Sequence, residues 1–272
     1  MPIDDPNLES GKENMQNPEQ ANAPILEFDP ARSAILEPRA LPLTIETPLG
    51  AVLCFFQEVL DELIEAGRLC EVGALRSEIG RHSVFVLEGS PALLVFHPGV
   101  GAPLAAGLME ELIALGVQRF IACGSCGVLN PEHEVGAVLL PVSAVRDEGT
   151  SYHYLPPARE VNAHPEAVSA LQEACSRQGL PYRLVKTWTT DAIYRETSAR
   201  RALRMHEGCE VVEMEAAAFF AVAQFRNVVF GQALYGGDLV VPEGWDSRAY
   251  DSRYSARQRL FWLAVDALRE MC

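Results

Sequence analysis

Short apolar runs and amphipathic stretches take turns along this chain. Runs rich in β-branched and aromatic residues at 53–56, 84–87, 92–96, 120–123, 137–141, 182–187 and 228–234 predict strands. Between them, apolar residues recurring at helical spacing predict helices over residues 57–67, 102–115, 165–178, 199–206, 215–225 and 255–269. Such alternation predicts an α/β fold: a single domain with a mixed, largely parallel central sheet flanked by helices, and ligands at the carboxyl ends of strands. Residues 1–30 break the pattern. They are rich in Pro, Asn, Gln and Glu with few large apolar groups, cannot recover the entropy of ordering, and are expected to be a flexible tail ahead of a domain over residues 31–272.

The most informative chemistry lies where one pattern gives way to the other. Glu210-Val211-Val212 is short and β-branched, while the stretch from Ala216 to Gln224 is rich in Ala and Phe with no Gly or Pro. Glu213-Met214-Glu215 therefore falls at a strand-to-helix junction. An ionised carboxylate offers two acceptor oxygens and can take both hydroxyl protons of a vicinal diol such as O2′ and O3′ of ribose. Met214 would lay a flexible apolar face against the ring. The same two glutamates also suit the first turn of a helix through its dipole, so the junction alone leaves both readings open.

Charge and cysteine usage narrow the function classes. With 37 acidic against 22 basic residues and a formal charge of −15, the surface repels a phosphate backbone, so no nucleic-acid partner is expected and a small nucleoside remains acceptable. No run of about 18 apolar residues and no basic-then-apolar amino terminus appears, so no membrane partner and a cytoplasmic location are expected. The seven cysteines are odd in number and scattered, which predicts reduced thiols rather than a disulfide framework. Cys123-Gly124-Ser125-Cys126 has C-x-x-C spacing but no second Cys or His pair at zinc spacing. A buried glycine turn is favoured there over a metal or redox centre.

Five segments carry a family likeness through their order and spacing. They are Gly99-Val100-Gly101-Ala102-Pro103, residues 115–129 around Gly124-Ser125, Glu134-Val135-Gly136-Ala137-Val138-Leu139-Leu140-Pro141, Arg146-Asp147-Glu148-Gly149-Thr150-Ser151-Tyr152-His153-Tyr154, and the Glu-Met-Glu junction. Over about residues 84–240 they resemble the nucleoside phosphorylase family, which contains uridine phosphorylase, the hexameric purine nucleoside phosphorylases and the methylthioadenosine/S-adenosylhomocysteine nucleosidases. The resemblance implies a phosphorylase/hydrolase-like fold. It implies a pentosyltransferase that cleaves the N-glycosidic bond of a nucleoside with phosphate, giving free base and ribose 1-phosphate, in nucleoside catabolism or purine salvage. No cofactor and no metal are expected, with inorganic phosphate as co-substrate and a homodimer or homohexamer as the assembly.

By this resemblance Glu215 grips O2′ and O3′, Met214 faces the sugar, Glu213 supports the pocket, and Gly99 belongs to its glycine loop. Asp238, after Gly236-Gly237, lies where purine-type members carry a Ser-Asp pair and would share a proton with purine N7. Uridine phosphorylases have no aspartate there, so a purine is favoured; an Asp after two glycines also suits a plain turn. Ile193 and Tyr194 would wall the base, while the uracil-reading Gln and Arg of the family are replaced by Thr197 and Ala199; Arg195, Arg200 and Arg201 could substitute for them, though exposed helix arginines are the favoured reading of those three. The anion site departs most. Ala34-Ile35-Leu36 runs into Glu37-Pro38-Arg39 where phosphorylases have a Gly-Asp-Pro-x-Arg loop after the first strand, and Ala122 stands in place of an arginine. Gly124 and Ser125 would remain as a turn able to cradle an anion, helped by Arg39, or by Arg76 and Arg81 of a neighbouring subunit. Glu37 stands about where the nucleosidases have a water-activating glutamate, so hydrolysis is the alternative, and a nucleoside-binding protein without turnover is a second. Trp245, in the loop over residues 241–248, suits either a lid over the nucleoside or the join to the last helix, and the join is favoured.

Overall fold

The computed structural model describes residues 23–38 and 48–272; residues 1–22 of the expected tail, and Arg39, lie outside the described residues. Six helices are present among them: α1 (Gln57–Glu65), α2 (Ala102–Ala114), α3 (Pro165–Arg177), α4 (Ser198–His206), α5 (Ala216–Arg226) and α6 (Tyr254–Met271). Each falls within two residues of its predicted span, because clear local signals set the ends. Thr197 Oγ1 caps α4 by accepting from Arg200 N at 3.3 Å, and Asn227 stops α5 in the left-handed region at φ 59°.

The strands are β1 (Gly50–Cys54), β2 (Leu69–Ser77), β3 (Gly80–Leu87), β4 (Ser90–Phe96), β5 (Arg119–Val128), β6 (Val138–Asp147), β7 (Glu160–Asn162), β8 (Tyr182–Thr190), β9 (Cys209–Glu213), β10 (Val229–Val241) and β11 (Gly244–Asp246). They form one mixed sheet whose centre is parallel: β4, β1, β5 and β10 run together, as do β6, β8 and β9. Antiparallel pairing of β10 with β6 and of β9 with β5 joins the two parallel groups. The five strands β5, β10, β6, β8 and β9 thus close into a ring. One residue from each, Cys126, Leu234, Leu139, Val185 and Val211, contributes to a buried cluster of its own. Leu63 of α1, Leu171 of α3 and Phe261 of α6 belong to one large core, and Met109 of α2 with Phe219 and Phe220 of α5 to another.

Three local expectations are corrected. Gly124-Ser125 is not a turn but lies inside β5, paired with Leu234 and Tyr235 of β10. Packing at 124 is tight, since a Cβ there would come within 3.2 Å of the Phe55 ring, which would have to give way. Gly236-Gly237-Asp238 likewise continues β10, with a bulge between Gly236 and Leu239. Among the described residues the first strand is β1. Residues 34–37 precede it without regular structure, and Ile35 and Leu36 stand exposed.

Candidate active site

β9 and α5 meet at the Glu-Met-Glu junction, and the backbone there has orphan N–H groups to satisfy. Glu213 does this from inside: its carboxylate accepts from Glu215 N at 2.7 Å and Ala216 N at 2.6 Å. It also accepts from the hydroxyls of Thr189 at 2.6 Å and Thr187 at 3.2 Å, both on β8. Glu215 is held more lightly, by backbone amides: Gly101 N at 2.6 Å, delivered by the loop between β4 and α2, and the Met214 backbone. Gly101 sits at φ 95°, a conformation that favours glycine. Both carboxyls are buried. Burial, followed by the neighbouring Glu213 charge, pushes Glu215 up to about 8. Burial also raises Glu213, and its four donors pull against that rise. Glu213 is therefore a structural anchor of the junction, and Glu215 is the carboxyl with acceptor capacity to spare.

These two groups line a cavity of about 830 Å³. Phe55, Gly124, Ser125 and Gln232 contribute from the β1, β5 and β10 part of the sheet, and Met214 from the junction. Asp238 enters from β10, where its Oδ2 accepts from Trp245 Nε1 at 2.6 Å. Trp245 sits on β11, folded back antiparallel on β10, so it lines the cavity instead of serving as a join. Ile193, Tyr194 and Glu196, in and just after a 3-10 turn over Ile193–Arg195, complete the lining on another side. Burial, then the charge of Asp238, pushes Glu196 up to about 7. The cavity thus opens at the carboxyl ends of β1, β5 and β10, as expected for an α/β sheet. It holds four carboxyls, and no Lys, Arg or His among the described residues lines it.

Of the residues singled out in the sequence, Glu213, Met214, Glu215, Ser125, Gly124, Ile193, Tyr194 and Asp238 meet in this cavity. Gly99 does not line it; at φ 75° it shapes the loop behind Val100, and a Cβ there would strike Leu104 at 2.3 Å. Glu37 is elsewhere. It lines a second cavity of about 1030 Å³ with Arg32, Arg76, Glu110, His153, Tyr154 and Arg226 among others. Arg81 is paired with Glu71 on the β2–β3 hairpin. Of the arginines after Tyr194, Arg201 donates to Val240 O at 2.6 Å and Arg204 to Asp147 at 2.9 Å, Arg200 comes within 3.5 Å of Asp147, and Arg195 is exposed. Arg146, the first residue of its motif, is buried and donates to Ser151 Oγ at 2.8 Å and Pro156 O at 2.8 Å, tying a loop down. Sequence reasoning missed Glu196, Gln232 and Phe55. Nothing local marks Glu196, whose interest comes from Asp238 across the cavity. Gln232 is 1% exposed and its Oε1 has no partner among the described residues.

The chain belongs to the phosphorylase superfamily, whose sequence profile matches residues 51–268. It is 32% identical over 141 residues to the guanosine phosphorylase of Halorubrum lacusprofundi, covering 51% of this chain and 58% of that one. It is 38% identical over 107 residues to the uridine phosphorylase of Thermococcus kodakarensis, covering 39% and 38%, and 33% identical over 108 residues to that of Haemophilus influenzae, covering 40% and 42%. The chain spans about half the length of these relatives. In fold it is similar to the purine nucleoside phosphorylase of Toxoplasma gondii in complex with immucillin-H, with a TM-score of 0.69, 22% identity and 84% and 92% coverage. It is also similar to the AMP nucleosidase of Bacteroides thetaiotaomicron, with a TM-score of 0.66, 24% identity and 81% and 87% coverage. No helix among the described residues is long and apolar enough to cross a membrane.

Proposed function

We propose that this protein is a nucleoside phosphorylase that cleaves the N-glycosidic bond of a purine ribonucleoside, with phosphate taking up the ribosyl group. The observation that carries the reading is the pair of carboxyls, Glu215 from the β9–α5 junction and Asp238 from β10, lining one cavity. Glu215, anchored on one oxygen by Gly101 N, has acceptor capacity for the ribose diol, and its ionisation, promoted by the positive charge that grows on the sugar as the bond breaks, opposes that charge. Met214 packs against the ring. Asp238, steadied by the Trp245 indole, gives a proton to N7 so that the base leaves neutral. Ile193 and Tyr194 supply the apolar wall for the base, and Tyr194, 93% exposed, has surface that a base would bury. Guanosine and uridine phosphorylases among the relatives support phosphate as acceptor.

Hydrolysis is the second reading, favoured by the lining itself. A phosphate dianion entering among four carboxyls is repelled, and among the described residues its partners would be the Ser125 hydroxyl and the Gln232 amide. Phosphorolysis then requires cations from a neighbouring copy of the chain. Glu37, in the second cavity, is not placed to activate water here. Incubation with inosine, adenosine, guanosine and uridine, with and without phosphate, separates the readings. Phosphate-dependent release of a purine with ribose 1-phosphate is expected. Free ribose at a rate indifferent to phosphate establishes hydrolysis, and release from uridine alone overturns the purine assignment.

A further inference from the structure

Gln232 of β10 is 1% exposed, and its Oε1 is buried with no hydrogen-bond partner among the described residues. The residue nevertheless lines the active-site cavity. Its neighbours in the sheet explain why no protein group satisfies it. Side chains two residues apart on a strand share a face, so Gln232 stands between Phe230 and Leu234, with Ala122 of β5 opposite in register. All three are apolar and buried. Phe230 in turn stacks on Phe219 of α5 at 4.7 Å. A buried carbonyl without a donor is costly, and an apolar side chain at 232 would avoid that cost. An amide kept on a central strand, facing a cavity and unpaired, points to a ligand that satisfies it.

The place of Gln232 along β10 decides which ligand that is. Asp238 stands six residues further on. At about 3.3 Å per residue, less the bulge before Leu239, Gln232 lies roughly 15–20 Å deeper, away from the mouth of the cavity. Glu215 is tied to the same face of the sheet, because Phe219, whose N–H donates to Glu215 O at 3.0 Å, is the residue stacked on Phe230. In the reading above the base leaves toward Asp238 and the ribose is held at Glu215. The acceptor attacks C1′ from the side opposite the departing base, which is the Gln232 side. We infer that Gln232 binds the acceptor and selects one that carries an O–H. The inference rests on the purine-nucleoside reading and deepens it by naming what recognises the acceptor. The terminal amide torsion is broad, so a half-turn brings Oε1 to the cavity. There it accepts the O–H of hydrogen phosphate or of water. Sulfate has the shape of phosphate but no O–H near neutral pH, and it leaves Oε1 facing bare anionic oxygens.

The test compares wild type with Gln232→Met, which keeps an unbranched chain of similar length without the amide. Inosine cleavage is followed near neutral pH with phosphate varied and sulfate added as competitor. For wild type, the sulfate inhibition constant should exceed KM for phosphate by about tenfold or more, the effect of one hydrogen bond to a charged group. Equal values overturn the inference, whether or not the variant folds. Gln232→Met should raise KM for phosphate by about tenfold or more and bring sulfate and phosphate within about threefold of each other, with KM for inosine changed by less than about twofold. A loss spread equally over phosphate and inosine overturns it. If wild type releases free ribose at a rate indifferent to phosphate, the acceptor is water. Gln232→Met should then lower kcat by about tenfold or more at unchanged KM for inosine, and an unchanged kcat overturns the inference. The urea midpoint without ligand separates a binding role from a structural one. Gln232→Met should be as stable as wild type or more so, and a clearly lower midpoint makes the amide part of the core and overturns the inference. No release of base from inosine by wild type overturns the purine reading and the inference with it, a result distinct from the others.

Discussion

The two large cavities of this protein treat charge in opposite ways. In the one lined by Glu37, charges are neutralised within the chain: Arg226 Nε donates to both oxygens of buried Glu110 at 3.0 and 2.8 Å and its guanidinium comes within 4.0 Å of Glu37. Arg32 stacks over the Phe225 ring at 4.6 Å. In the other, no carboxyl meets a cation among the described residues. Glu213 is held by hydroxyls and amides, Glu215 by backbone amides alone, Asp238 by an indole, and Glu196 by no donor among the described residues. The first cavity is larger, about 1030 Å³ against about 830 Å³, so size is a poor guide to chemistry. Carboxyls gathered without counter-charges, on rigid strand ends, are costly to keep unless a ligand uses them.

That contrast is sharpest at Glu215. Glu215→Gln is expected to lower kcat/KM on ribonucleosides by about a hundredfold to a thousandfold, since an amide keeps only one acceptor oxygen for the diol and cannot ionise as positive charge grows on the sugar. Near wild-type turnover would sink the assignment. The same substitution should stabilise the ligand-free protein. Because the folded pKa of Glu215 is raised to about 8 from 4.5, the native state binds more protons than the unfolded one between those values. Its stabilising share is whole below about 4.5 and is lost as pH rises to about 8. Denaturant titrations should therefore show wild type falling behind Glu215→Gln as pH rises from 5 to 8, by on the order of a few kcal/mol. A gap that does not grow with pH contradicts the buried-acid account.

The other cavity should answer in stability and not in turnover. Glu110→Gln removes the carboxylate that Arg226 needs, at a cost of about 2 kcal/mol after allowing for partial exposure of the arginine, read as a lower urea midpoint with activity per folded molecule retained. Glu37→Gln is the smallest change, with stability and turnover both within about 0.5 kcal/mol of wild type. A large loss of turnover there would move the chemistry to the other cavity.

Much of the frame was legible in the sequence because helix signals are local. Pro at the start of α3, Thr197 before α4 and Asn227 after α5 are read without tertiary context. Strand ends were less legible: β5 and β10 run on through Gly124-Ser125 and Gly236-Gly237-Asp238, where tight packing favours glycine and local pattern suggests a turn. β2 was missed because its apolar residues are interrupted by Glu71, Gly73 and Arg76. Within the site, Glu213, Met214, Glu215 and Asp238 could be picked out by motif, but their meeting depends on the ring of strands. Glu37 was misplaced because likeness of a short segment stood in for its place relative to β1. Glu196 was invisible, since a lone glutamate after a turn acquires chemistry only from Asp238, brought near by the fold.

The central claim is that a carboxyl at the β9–α5 junction reads the ribose diol while the cavity releases the base. Initial rates of hypoxanthine release from inosine and from 2′,3′-dideoxyinosine, in wild type and Glu215→Gln, test it most directly. The account predicts that wild type prefers inosine by about a hundredfold or more, and that Glu215→Gln brings the two substrates to within a few-fold of each other. Wild type that turns over both at the same rate, or a preference for inosine that survives in Glu215→Gln, contradicts it.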